Sequence, residues 1–183
     1  MRVVTAHTLS LVEPALEPGW SVLDVGTGAG FVARDLGARR PVAAVDIVDV
    51  RRAEVPDFRL WDGLTLPFDR GAFDALLFVF VLHHVPDERK AAVIAEARRV
   101  ARRRILVLED TPRMSLDWLV AELHGRRYRR EIGSGAGFGF KTRPGWERWF
   151  AAQGLRVAAS RPLGRLERDW YRPWARSFFV LEE

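Results

Sequence analysis

A chain of 183 residues that is 48% apolar can bury one core of ordinary domain size, which excludes an intrinsically disordered chain. It has no cysteine, so disulfides, thiolate metal sites and a cysteine nucleophile are excluded together, a composition that fits the cytoplasm. The net charge of +5 rests on arginine, because Lys90 and Lys141 are the only lysines; carboxylates are spread along the whole chain, so charge alone does not separate a compositional bias from an anionic partner.

In chain order, Val3 to Leu16 patterns as a helix, interrupted by Pro14 and ended by Glu17-Pro18-Gly19. No apolar run of signal-peptide type opens the chain. Ser21 to Val25 is a short apolar strand running into a glycine-rich turn, and Phe31 to Leu36 is a helix closed by Gly37. Pro41 to Ile47, Phe58 to Trp61 and Phe73 to Leu82 follow as strands two to four. The longest apolar run, Ala75 to Leu82, is too short to span a bilayer and reads as a buried strand. Asp87 is expected to cap a helix with apolar positions Val93, Ile94, Ala97 and Val100. Arg104 to Leu108 is a fifth strand, and Ser115 to Leu123 is helical with Leu116, Leu119, Val120 and Leu123 on one face. Thr142 caps a last helix with Pro144 in its first turn, running to Gln153 and stopping at Gly154. Leu155 to Ala159 and Ser177 to Leu181 complete the strands.

Strand and helix alternate for about five cycles and two strands close the chain. The expected fold is a single α/β domain over 1–183. It has a doubly wound, mostly parallel seven-stranded sheet with helices on both faces and a C-terminal antiparallel hairpin.

The chemistry is concentrated after strand one, at Asp24-Val25-Gly26-Thr27-Gly28-Ala29-Gly30. In an open α/β sheet ligands sit beyond the carboxyl ends of the strands, and glycines there let a ligand approach the backbone. Dinucleotide sites use G-x-G-x-x-G, whereas this chain has G-x-G-x-G with Phe31 at the last position, which speaks against a nicotinamide or flavin oxidoreductase. Asp46 lies about twenty residues beyond the loop, where a carboxylate can accept both ribose hydroxyls.

From roughly Glu17 onward the chain resembles the class I S-adenosylmethionine (SAM) dependent methyltransferases that act on small molecules, such as those of quinone biosynthesis. The resemblance rests on Val22 to Gly30, Val45-Asp46-Ile47, Asp62 to Phe68, and Phe73-Asp74 through His83-His84-Val85, in that order. It implies SAM as cofactor, held by Asp24, Gly26, Thr27, Gly28, Gly30, Asp46, Ile47, Trp61, Asp62, Gly63 and Val79. Asp24 would stand near the methionine end, Asp62 would accept the adenine amino group with Gly63 offering backbone to a ring nitrogen, and Ile47 and Trp61 would sandwich the adenine. A core role is nearly as consistent for the last two.

His84 and Glu109 are the candidates for a general base, if the acceptor keeps its proton; a structural role for the His83-His84 pair is the simpler reading. Metal binding by His83, His84, Glu109 and Asp110 matches no metal-ligand spacing. The segment 111–143 is expected to cover the acceptor. Arg126, Arg127, Arg129 and Arg130 suit an anionic or amphipathic small molecule, and Phe138 and Phe140 can grip an apolar group.

Three departures stand out: Arg102-Arg103-Arg104 replaces the Pro-Gly-Gly turn common before strand five, the N-terminal segment is short, and Phe78-Val79-Phe80-Val81 lacks an Asn-Pro-Pro-Tyr sequence. The last disfavours amino-methylation of nucleic-acid bases, and no RNA-binding module is evident. A non-catalytic SAM-binding protein remains the alternative to an enzyme.

Overall fold

The computed structural model describes residues 2–113, 117, 119, 139–163 and 175–183. Seven strands form one sheet: β1 (Val22–Val25), β2 (Val42–Asp46), β3 (Asp57–Leu60), β4 (Phe73–Val79), β5 (Ala101–Asp110), β6 (Arg156–Pro162) and β7 (Arg176–Glu182). Their order is β3-β2-β1-β4-β5-β7-β6. The first five are parallel to one another, and β7 runs antiparallel to both β5 and β6. The strand order reverses at β1, so chain leaving β1 and chain leaving β4 diverge and open a crevice there.

Period-two alternation sorts the strand residues into two cores. Leu23, Val25, Leu76, Phe78, Ile105, Val107, Phe179 and Leu181 face one side. There they meet Val93, Ile94, Ala97 and Val100 of α3 (Asp87–Val100), a helical stripe. They also meet Trp146 and Phe150 of α4 (Arg143–Ala152). Val22, Ala75, Leu77, Leu106, Leu108, Phe178 and Val180 face the other side, against Leu9, Leu11 and Val12 of α1 (Arg2–Val12) and Leu36 of α2 (Phe31–Gly37). Among the described residues no helix is long and apolar enough to cross a membrane.

Several local expectations are corrected. The first helix stops at Val12, and Pro14 sits in a 3-10 turn, Glu13–Ala15, because proline lacks the N–H a continuing helix needs. Strand four ends at Val79, not Leu82: Phe80 takes φ +58°, and Leu82–His84 forms a 3-10 turn. Asp87 does not cap α3. Pro86 holds that position, and the Asp87 carboxylate receives Lys90 Nζ at 2.5 Å. Thr142 does cap α4, its Oγ1 accepting from Gly145 N at 3.2 Å. The helix expected over Ser115–Leu123 lies outside the described residues apart from Asp117 and Leu119.

Arg102, Arg103 and Arg104 belong to β5 itself and are used internally. Arg102 Nη1 donates to Asp74 Oδ1 at 3.0 Å, Arg103 Nε lies 3.6 Å from the same oxygen, and Arg104 Nε donates to Glu182 Oε1 at 2.9 Å. Asp74 also accepts from the N–H and hydroxyl of Ser21, tying together the starts of β1, β4 and β5.

Chain re-enters the described fold at Gly139 under tight constraint. Its N–H donates to the His83 carbonyl at 3.0 Å, and its own carbonyl accepts from the fully buried Lys90 Nζ at 3.3 Å. A Cβ added here would stand 1.8 Å from Lys90 Nζ, so a larger residue would have to displace the end of that side chain. Burial holds the Lys90 ammonium below its ordinary pKa, against the pull of Asp87.

Phe179 is fully buried where β7 meets α4, its ring edge-on to Phe150 at 5.4 Å. Phe179→Ala should lower unfolding free energy by about 3–5 kcal/mol in urea titration with an unchanged denaturant slope.

Candidate active site

β1 leaves the sheet through Gly26, Gly28 and Gly30, which adopt φ of +72°, +55° and +79°. That backbone is costly for any residue with a Cβ. The turn is fastened to β2: Gly26 N and Thr27 N both donate to the Val45 carbonyl, at 2.8 and 3.2 Å. The glycines serve different ends. A Cβ on Gly26 would lie 2.7 Å from Val81 Cγ2, and one on Gly30 would lie 3.1 Å from Val55 Cγ2 and 3.2 Å from the Ala53 carbonyl. Only at Gly28 would it meet nothing within 4 Å, because that residue faces open space.

The open space is a cavity of about 660 Å³ at the carboxyl ends of β1 to β4, within the range that holds a small ligand. One side is lined by Gly26, Gly28, Asp46, Ile47, Trp61, Asp62 and Gly63. These are seven of the eleven residues expected to hold the cofactor. The facing side carries Phe80, Val81, His84 and Val85, with Pro86, Glu88 and Arg89 from the start of α3.

Asp46 ends β2 and closes the ring of contacts. Its Oδ2 accepts from Gly28 N at 2.8 Å and its Oδ1 from Ile47 N at 2.7 Å. A carboxylate has about four acceptor positions, so both oxygens can take a further donor. Burial raises its pKa, and the backbone N–H groups act against that. Asp62 Oδ1 accepts from Leu64 N and Thr65 N, both at 2.8 Å, which shapes the turn after β3 and lowers its pKa. Ile47 is 60% exposed at the cavity rim, an apolar side chain offering a face to a ligand, whereas Trp61 is 7% exposed and belongs mainly to the core.

The other candidates are placed away from the opening. Asp24 is buried beneath the loop, where it accepts a 2.7 Å bond from Thr27 Oγ1. Burial raises its pKa to about 7, opposed by that hydrogen bond and reinforced by the charge of Asp46. Val79 packs against the core on the α1 side and does not line the cavity; Phe80 packs against that core as well but, with Val81, also lines the cavity. Glu109 is fully buried and works as a bracket for the turn after β4. Its Oε1 accepts from Leu82 N at 2.6 Å, and its Oε2 stands 2.5 Å from His83 Nδ1. His83 stacks on Phe140 with ring centroids 4.8 Å apart, so Phe140 is a core residue, 8% exposed, and not part of the cavity wall. Of the two base candidates His84 alone reaches the cavity. Arg126, Arg127, Arg129, Arg130 and Phe138 lie outside the described residues. Sequence reasoning missed Val81, whose signal was indirect: a glycine at 26 implies something pressed against it.

Residues 23–107 match the family model described as a methyltransferase domain. The ubiquinone/menaquinone biosynthesis C-methyltransferase UbiE of Rhizobium johnstonii is 36% identical over 121 residues, 55% of this chain and 45% of that protein. A Xenopus tropicalis tRNA (carboxymethyluridine(34)-5-O)-methyltransferase, alkbh8, is 32% identical over 96 residues, 49% of this chain and 15% of that one. The chain thus spans less than half the length of these relatives. Among solved structures, magnesium protoporphyrin IX methyltransferase from Synechocystis, with bound SAH, superposes with a TM-score of 0.68 at 20% identity, covering all of this chain and 82% of that one.

The sheet has the fold of these methyltransferase structures, and residues 23–107, which include the glycine cradle, are similar to methyltransferase domains.

Gly26→Ala should weaken cofactor binding and stability together, because its methyl meets Val81 and the positive φ is strained. The double variant Gly26→Ala/Val81→Ala should recover the part due to collision, as read by calorimetry and thermal melting. Asp24 has a folded pKa raised above its unfolded value, so its contribution to stability is fully present below about pH 4 and is lost as pH rises through about 7. Asp24→Asn should therefore flatten the stability profile across that window in unfolding titrations at successive pH values.

Proposed function

We propose that this chain is a SAM-dependent methyltransferase that uses the cavity at the carboxyl ends of β1 to β4 for both cofactor and a small-molecule acceptor. The observation that carries the reading is the cradle itself: Gly28, open toward the cavity, hydrogen-bonded to the partly buried carboxylate Asp46 inside a domain that matches methyltransferases. The residues present fit the cofactor. A dipolar, hydroxyl-bearing nucleoside needs an acceptor pair beside a backbone that admits close approach, and an apolar rim for its base; Asp46, Gly28 and Ile47 supply these. SAM would bring a cationic sulfonium whose methyl is open to in-line displacement.

The protein's own work is alignment and exclusion of water. Asp46 would hold the ribose hydroxyls, Ile47 the exposed face of the adenine and Asp62-Gly63 its edge. The buried carboxylate of Asp24 would favour a cationic cofactor end. His84, on the facing wall, is the residue positioned to take a proton from an acceptor that carries one. Glu109 would serve that role only indirectly, by fixing the turn on which His84 sits.

The relatives named for C-methylation in ubiquinone and menaquinone biosynthesis make a quinone-related ring the first acceptor class to try. The segment 111–143, with Arg126, Arg127, Arg129 and Arg130, is proposed as the cover that favours an anionic or amphipathic form of it. The cytoplasm is the proposed compartment, since a chain without cysteine asks nothing of an oxidising one.

Calorimetry with SAM, SAH and NADH tests the reading directly. SAM and SAH should bind and NADH should not. Asp46→Ala should lower SAM affinity by about 1.5–3 kcal/mol, the loss expected for hydrogen bonds to a charged group. Equal affinity in the variant would remove Asp46 from the site.

A further inference from the structure

Phe80 is the only non-glycine residue among those described with a positive φ, +58°. A bulky side chain in that region is strained and persists only where surrounding contacts impose it, and such positions gather at ligand sites. The imposing contacts are specific. Phe80 N donates to the Leu108 carbonyl at 2.8 Å, so pairing with β5 extends one residue past the strand before the chain turns. The Arg176 guanidinium lies over the ring, 4.8 Å from its centroid. Arg176 is 2% exposed, and its Nε donates to Asp110 Oδ1 at 3.2 Å, a residue 3% exposed that stands opposite it in the β5–β7 ladder.

A buried ion pair is a poor way to stabilise a sheet edge, since apolar residues of similar size do as well without desolvating two charges. Here the pair backs one aromatic ring that lines the cavity. The position of that ring within the cavity follows from strand order. Residues fit for ribose and adenine stand at the end of β2 and just after β3, on one side of β1, whereas Phe80 follows β4 on the other. That is the side left for the acceptor.

We propose that Phe80 is the acceptor-specificity residue of this site: its ring, set by the Arg176–Asp110 pair, is the wall on which a flat apolar acceptor packs. Arg176 is then a positioning residue, acting through Phe80. The inference rests on the methyltransferase reading and deepens it. A flat ring on Phe80 gains aromatic contact, and a guanidinium on the opposite face adds a cation–π interaction that fixes the ring's angle.

The test uses the full chain with saturating SAH and menadione, a flat two-ring quinone, as the probe. Calorimetry reports SAH affinity, and saturation-transfer NMR reports probe binding. Phe80→Asn removes the ring while keeping a residue that tolerates left-handed backbone. It should leave SAH affinity within about twofold, leave the melting temperature unchanged or raised, and weaken menadione about tenfold or more. Phe80→Tyr should restore most of the probe affinity. Arg176→Met/Asp110→Asn, which leaves no buried unpaired charge, should give a smaller loss, about threefold, again with SAH affinity kept.

Probe binding that is equal in parent and Phe80→Asn, or absent from the SAH-bound parent, would overturn the proposal. So would a parallel fall in SAH affinity, which would make the ring part of the cofactor cradle. Failure of the parent to bind SAH at all would instead overturn the methyltransferase reading.

Discussion

The exit of β1 governs the rest of the site. Two N–H groups of the glycine turn close on the Val45 carbonyl, and a third, from Gly28, closes on the Asp46 carboxylate. Strand and turn are thereby locked to the neighbouring strand end, and the spacing between loop and acidic residue is fixed by hydrogen bonds. The cavity exists because the chain departs in opposite directions on the two sides of this joint, with Asp46, Ile47 and Trp61 on one side and Phe80 and Val81 on the other. Val81 stands against Gly26, so the two sides of the cavity meet at one contact.

Much of this was legible in sequence because local rules dominate there. Three residues that need positive φ had to be glycine, and a βαβ unit places the next strand's last residue about twenty positions on, which is where Asp46 stands. Apolar spacing located α3 and α4 and the strands, with errors of a few residues at their ends. The two misread helix boundaries share a cause. Pro14 and Asp87 are governed by helix-end chemistry that allows more than one solution, and proline at the cap displaced aspartate at position 87.

What was not legible is the side of the cavity beyond β4. Nothing in Phe78-Val79-Phe80-Val81 announces that Phe80 leaves the strand, and its contact with Arg176, paired with Asp110, comes from far along the chain. Glu109 looked like a reactive carboxylate and is a bracket, because its oxygens are consumed by Leu82 and His83. Gly30 was grouped with ligand-contacting glycines, yet its tight neighbours are Val55 and Ala53. Long-range packing decides such cases, and short motifs carry no record of it.

The pinned return at Gly139 has a bearing on engineering. Thr111, just beyond β5, donates its N–H to the Ala175 carbonyl, and Leu163, just beyond β6, donates to the Arg176 carbonyl, so with the Gly139–His83 bond three main-chain bonds at 2.7 to 3.0 Å hold the chain here. Because each of these bonds joins main-chain atoms, side chains at Thr111, Leu163 and Ala175 can be exchanged without removing it, whereas a larger residue at 139 would have to displace the end of the buried Lys90 side chain.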